Sequence, residues 1–215
     1  MNIIYNFLSS LLNSIFNFTG DWGLAIVLLT IGVRLLLSPM SFKQKKSMQQ
    51  QQKFAIKMQE IKEKYKDNKD KLEVEVKKQS AQSAKSMLGC LVTLLQLPIF
   101  MTMWSVFNKI PVDVGTFLIP WVASIKVSDS YFIVPFIYVL VSLTPSLLSY
   151  VTLLKIEGQA TISKSNIIIM AVVGLFVAKA APIAVGLYLI TTSVFNFLEE
   201  LVFRIYMKSL KTEIQ

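Results

Sequence analysis

The chain has 215 residues, of which 53% are hydrophobic and only 16% charged, against about 25% charged in a soluble domain. So few charges cannot cover a globular surface, which excludes a soluble enzyme, a disordered tail or a secreted scaffold and leaves an integral membrane protein of several spans. The net charge is +9, with no His and a single Cys, Cys90, so His general bases, zinc–histidine sites and an intrachain disulfide are excluded, and the basic excess points first to topology and anionic lipid.

Residues 1–20 carry no charged side chain. Ile3, Ile4, Phe7, Leu8, Leu11, Leu12, Ile15 and Phe16 recur at helical spacing, with Asn and Ser between them. That spacing predicts an amphipathic helix lying on the membrane interface. It has neither a basic leader nor a small-residue cleavage site, so a signal peptide is not expected. Gly20-Asp21 punctuates the chain, and 21–215 is read as the core.

A first span is expected over 22–40, about 28 Å long at roughly 1.5 Å per residue. Arg34 interrupts it. Residues 41–85 differ in kind, holding thirteen Lys and six Asp or Glu. Phe54, Met58, Ile61 and Tyr65 form one apolar stripe, and Asp67-Asn68-Lys69-Asp70 is a turn signal. Two antiparallel polar helices outside the bilayer are predicted. Further spans are expected over 87–107, with Gln96 and Pro98, and over 131–154, with Pro135 and Pro145. Between these two, residues 108–130 form a loop in which Trp121 suits the interface. The apolar stretch after a polar loop at 155–165 breaks only at Lys179 and Pro182, giving a short span over 166–179 and a last one over 183–204.

The expected fold is therefore an all-α polytopic membrane protein with five transmembrane helices, a helical hairpin and an interfacial N-terminal helix. Segments 41–85, 155–165 and 204–215 hold eighteen of the twenty-two Lys and Arg. The positive-inside rule puts them in the cytoplasm, with the N-terminus outside and the C-terminus inside.

Two readings of Arg34 stand side by side. It could snorkel to the interface about 9 Å away, or it could face a water-filled cavity within the bundle. No acid lies deep in a span to neutralise it, and Glu199 and Glu200 are the nearest candidates. The neutral polar groups of the spans either bond helix to helix or line a polar groove, with Gln96, Thr192 and Asn196 on its wall.

Thr30-Ile31-Gly32-Val33-Arg34-Leu35-Leu36-Leu37-Ser38-Pro39 resembles the first core span of the YidC/Oxa/Alb membrane insertase family. Lys43 to Lys85 resembles that family's cytoplasmic hairpin. Gly89-Cys90 and Gln96-Leu97-Pro98-Ile99-Phe100 are similar to its next span, and Pro182 to Tyr188 to the opening of its last. Leu189 stands where the family often has Trp, and Pro145 near a position where it often has Gln. The resemblance implies an insertase and chaperone for nascent membrane proteins, with no covalent catalysis and no cofactor. It implies a hydrophilic groove in which Arg34 attracts acidic residues, with Gln96, Tyr188, Thr192 and Asn196 as groove residues. Nascent membrane proteins are the implied partners, with the Sec channel, the ribosome and anionic lipid beside them and no direct nucleic-acid binding. A small transporter or channel for an anionic solute is the alternative, and a membrane scaffold a further one.

Overall fold

The computed structural model of the chain describes residues 2–66, 68–83, 100–107, 114–151 and 164–212. Its helices are α1 (Asn2–Thr19), α2 (Trp22–Lys64), α3 (Lys69–Ser83), α4 (residues 100–107), α5 (Ile133–Leu147), α6 (Lys164–Ala180) and α7 (Ile183–Thr212). A 3-10 turn, Leu148–Tyr150, follows α5. Among the described residues the only bridge pairing is the isolated contact of Thr116 with Ile119. The chain is an all-α, polytopic integral membrane protein. Three helical stretches, Trp22–Lys64, Ile133–Tyr150 and Ile183–Ser209, are long and apolar enough to cross a bilayer, and Ser165–Ala180 is a shorter apolar helix.

α1 ends where Gly20 takes a left-handed conformation (φ 71°) and its N–H reaches the Phe16 carbonyl at 2.7 Å. Glycine has no Cβ to oppose that turn. The next residue, Asp21, is extended and caps α2 by accepting the Leu24 N–H at 2.8 Å. A two-residue connection thus reverses the chain and stacks Phe16 on Trp22, ring centroids 4.0 Å apart. The apolar stripe of α1 divides. Leu8 and Leu12 are buried against the core, while Ile3, Ile4, Phe7 and Phe18 stay exposed, Phe18 at 92%. One edge of the stripe therefore packs on protein and the other is left for lipid.

The expected first span and the first arm of the hairpin are one unbroken helix. α2 has 43 residues and so runs about 65 Å, twice the hydrocarbon thickness. It ends at Tyr65, and α3 begins at Lys69, with the Leu72 N–H returning to the Asn68 carbonyl at 3.0 Å. The turn signal at 67–70 falls on this reversal. At the other end of the chain α7 continues eight residues past the expected limit at 204. Polar residues prolong a helix beyond the bilayer as readily as apolar ones, so hydropathy marks the membrane boundary and not the helix end.

The core sits at the α1 end of the bundle. Trp22, Ala25, Ile26 and Leu29 of α2, Met103, Val106 and Phe107 of α4, and Ile183 to Tyr188 of α7 are buried together. The segment 114–132 folds over this end. Its Ile125 and Val127 carbonyls accept the Ala184 and Ile183 N–H groups, each at 2.9 Å, which satisfies donors that the start of α7 would leave unpaired. Asp129 does the same for α5, accepting Val134 N–H at 2.8 Å. Close approach is written into the glycines. A Cβ on Gly186 would meet Val134 Cγ1 at 2.7 Å, and one on Gly23 would collide with the Thr116 side chain. Elsewhere α7 packs on α2 and α5, and α6 lies against α5.

Candidate functional site

Below that core, toward the hairpin end, α2, α4, α5 and α7 separate around a cavity of about 490 Å³. The wall on α7 is a polar stripe. Tyr188, Thr192, Asn196 and Glu199 follow at intervals of four, four and three, the spacing of one helix face. α2 contributes Arg34, Ser41 and Lys45, and α5 contributes Tyr138, Ser142 and Pro145. Phe100 of α4 closes the deep end beside Tyr188, ring centroids 6.1 Å apart.

Arg34 is only 8% exposed. Its Nη1 donates to Asn196 Oδ1 at 3.3 Å. A guanidinium has five donors, and one neutral amide does not neutralise it. Arg34 thus points into the bundle, where it lines the cavity. Four of the five residues singled out from sequence, Arg34, Tyr188, Thr192 and Asn196, line this one cavity. The fifth, Gln96, lies outside the described residues, as do Cys90 and Pro98.

Glu199 and Glu200 take different roles. Glu199, 8% exposed, lines the cavity, where Arg34 and Lys45 attract it and Ser41 lies within hydrogen-bond reach. Its Oε1 has no hydrogen-bond partner among the described residues, and neither has the Thr192 hydroxyl. Glu200 faces away and is fully engaged. Lys45 Nζ lies 2.8 Å from its Oε2 and Arg204 Nε 2.8 Å from its Oε1. Arg204 is 2% exposed and also donates to Ser149 Oγ at 3.2 Å. A second cavity of about 330 Å³ runs along this network, sharing Lys45, Met48, Ser142, Pro145 and Asn196 with the first. The two form one polar path toward the hairpin.

Lys45, Ser41 and Tyr138 were not legible as site residues. The signal for Lys45 was faint: continued as a helix past Pro39, α2 brings residues 34, 41, 45 and 48 onto one side. Treating 41–85 as a separate unit hid that register. The site is built of charged and hydrogen-bonding side chains. Among the described residues no group of His, Cys, Asp or Glu could hold a metal ion.

A family described as 60Kd inner membrane protein matches residues 14–211. A membrane protein insertase YidC of Wolinella succinogenes is 43% identical over 127 residues, 58% of this chain and 24% of that protein. One of Aquifex aeolicus is 41% identical over 125 residues, 57% and 24%. A third, of Caldanaerobacter subterraneus subsp. tengcongensis, is 27% identical over 215 residues, 99% of this chain and 100% of its own length. The chain spans about a quarter of the length of the first two relatives.

Proposed function

We infer the function from one premise: this chain belongs to the 60Kd inner membrane protein family, and relatives in it are named membrane protein insertase YidC. The chain is a membrane protein insertase and chaperone. It takes nascent membrane proteins from the cytoplasm, alone or with the Sec channel, and moves their short polar segments across the bilayer without covalent catalysis. Five spans, at about 22–40, 87–107, 131–154, 166–179 and 183–204, carry it, with the N-terminus outside and the hairpin 41–85 in the cytoplasm. The groove residues are Arg34, Gln96, Tyr188, Thr192 and Asn196.

The observation that carries this reading is a buried arginine whose one hydrogen bond among the described residues is to a neutral amide, in a cavity lined by hydroxyl and amide side chains. A bare charge at the bilayer centre costs about 2.5–3.5 kcal/mol on insertion scales. A polar path open toward the hairpin lowers that cost for a segment in transit, and Arg34 offers it an attractive charge. Once the segment has passed, the apolar helix behind it partitions into lipid, and its burial drives release with no nucleotide. The thirteen Lys of 41–85 favour anionic lipid and acidic partners such as the ribosome surface.

The test is insertion, in proteoliposomes, of a short single-span protein with an acidic translocated N-terminus, read by protease protection. Arg34→Ala is expected to lose about ten-fold or more, the scale of one charge-assisted contact. Arg34→Lys should retain part of the activity, keeping the charge and losing the guanidinium fork. Equal insertion by the alanine variant at equal protein level would sink the role of Arg34.

A further inference from the structure

Glu199 is a charge that an acid-attracting groove does not need. It lies on the same α7 stripe as Asn196, three residues on, or about 4.5 Å nearer the hairpin by helical rise. It is nine-tenths buried and lines the cavity, and its Oε1 is unpartnered among the described residues. Its two neighbouring cations attract it through space but give their hydrogen bonds elsewhere, Arg34 to Asn196 and Lys45 to Glu200. Leaving a buried carboxylate oxygen unpaired is expensive, more so in low dielectric. If Glu199 served only to balance Arg34, a direct ion pair would satisfy both groups at no such cost.

We propose that Glu199 is a cation-binding subsite of the groove, taking a Lys or Arg side chain from the same translocated segment whose acid engages Arg34. The idea rests on the insertase reading and specifies its substrates. An extended chain advances about 3.3 Å per residue, so Glu199, one helical step nearer the hairpin than the Asn196 that Arg34 contacts, suits a base one or two positions behind the acid, on the side of the apolar helix. Without Glu199, a basic residue there would enter a cavity walled by Arg34 and Lys45 and be repelled. With it, the segment crosses as a neutral pair held at both ends.

Two matched single-span substrates test this in proteoliposomes. One carries a lone Asp in its translocated segment, and the other carries the same Asp with a Lys two residues nearer the span. The wild-type protein is expected to insert both. Glu199→Gln should lower insertion of the Asp/Lys substrate about ten-fold and leave the Asp substrate near the wild-type level. Glu199→Asp, which keeps the charge, should recover much of the loss and guards against misfolding as the cause. An equal fall for both substrates in Glu199→Gln would make Glu199 a structural counter-ion and overturn the proposal. So would a wild type that already rejects the Asp/Lys substrate. Failure of the wild type on both substrates would overturn the insertase reading itself, and this subsite with it.

Discussion

The Asp21 carboxylate accepts from two parts of the chain at once. Leu24 N–H and the Thr116 hydroxyl meet its Oδ1 at 2.8 and 2.7 Å, and Phe117 N–H meets its Oδ2 at 2.8 Å. It caps α2 and pins the segment 114–132 over the core. Burial by itself raises its pKa, but the hydrogen bonds from Leu24, Phe117, Thr116 and Gly23 outweigh burial and hold it below its ordinary 3.8. The sign of the linkage follows. The folded state takes up this proton at lower pH than the unfolded state, so the stabilisation is complete above about pH 4 and fades as pH falls through the folded value. Asp21→Asn should therefore cost about 1–3 kcal/mol at pH 7 and less near pH 3, below the ordinary value of 3.8. Thermal unfolding in detergent at both pH values checks this; a deficit of the same size at each would remove the carboxylate charge from the explanation. Neither Thr116 nor Phe117 was foreseeable as its partner, because nothing in the sequence spacing ties position 21 to 116.

At the scale of elements, α2 is both a membrane span and the root of the hairpin. Gln44, Lys45 and Met48 on its continuation line the cavity, and Lys45 is tied to Glu200 of α7. Removal of the whole hairpin from residue 45 would thus damage the groove wall along with the basic arm. A shorter deletion separates the two. Replacing 53–80 with a brief Gly-Ser linker should leave thermal stability close to that of the full chain and lower insertion several-fold, more sharply on anionic vesicles, where the lost lysines matter most. Unchanged insertion would remove the outer hairpin from the mechanism. How this architecture could be read beforehand is a matter of signal strength. α1, α5 and α6 announce themselves because apolar periodicity or long apolar runs dominate their windows, and the hairpin turn is marked by four consecutive polar residues at 67–70. The continuity of α2 through Ser38-Pro39-Met40 and of α7 to Thr212 was missed, since both cross from lipid to water with no change of backbone conformation.

At the scale of the whole molecule the cavity, among the described residues, is closed at its deep end. Its deep end meets Phe100 and Tyr188, and beyond them Trp22, Ile26, Leu29, Met103 and Phe107 pack in the apolar core. Thr192 and Asn196 were readable as polar groups within an apolar span, Tyr188 only through the family resemblance, and Arg34 from its solitude in an apolar run. Their convergence was not, because α2 and α7 are 162 residues apart at the Arg34–Asn196 contact and only packing brings them together. One-sidedness separates an insertase groove from a solute pathway, which must open to each face in turn. In a Cys90→Ser background, Thr192→Cys should react with a charged, membrane-impermeant maleimide in inside-out vesicles and stay unreacted in right-side-out ones. Leu29→Cys, in the sealing core, should resist from both faces. Phe117→Cys, at an 83% exposed position of the segment over that core, should react only from outside, which fixes the orientation independently. Labelling of Thr192→Cys from the outer face would mean that the core opens, and the transporter reading would then account better for Arg34 than insertion does.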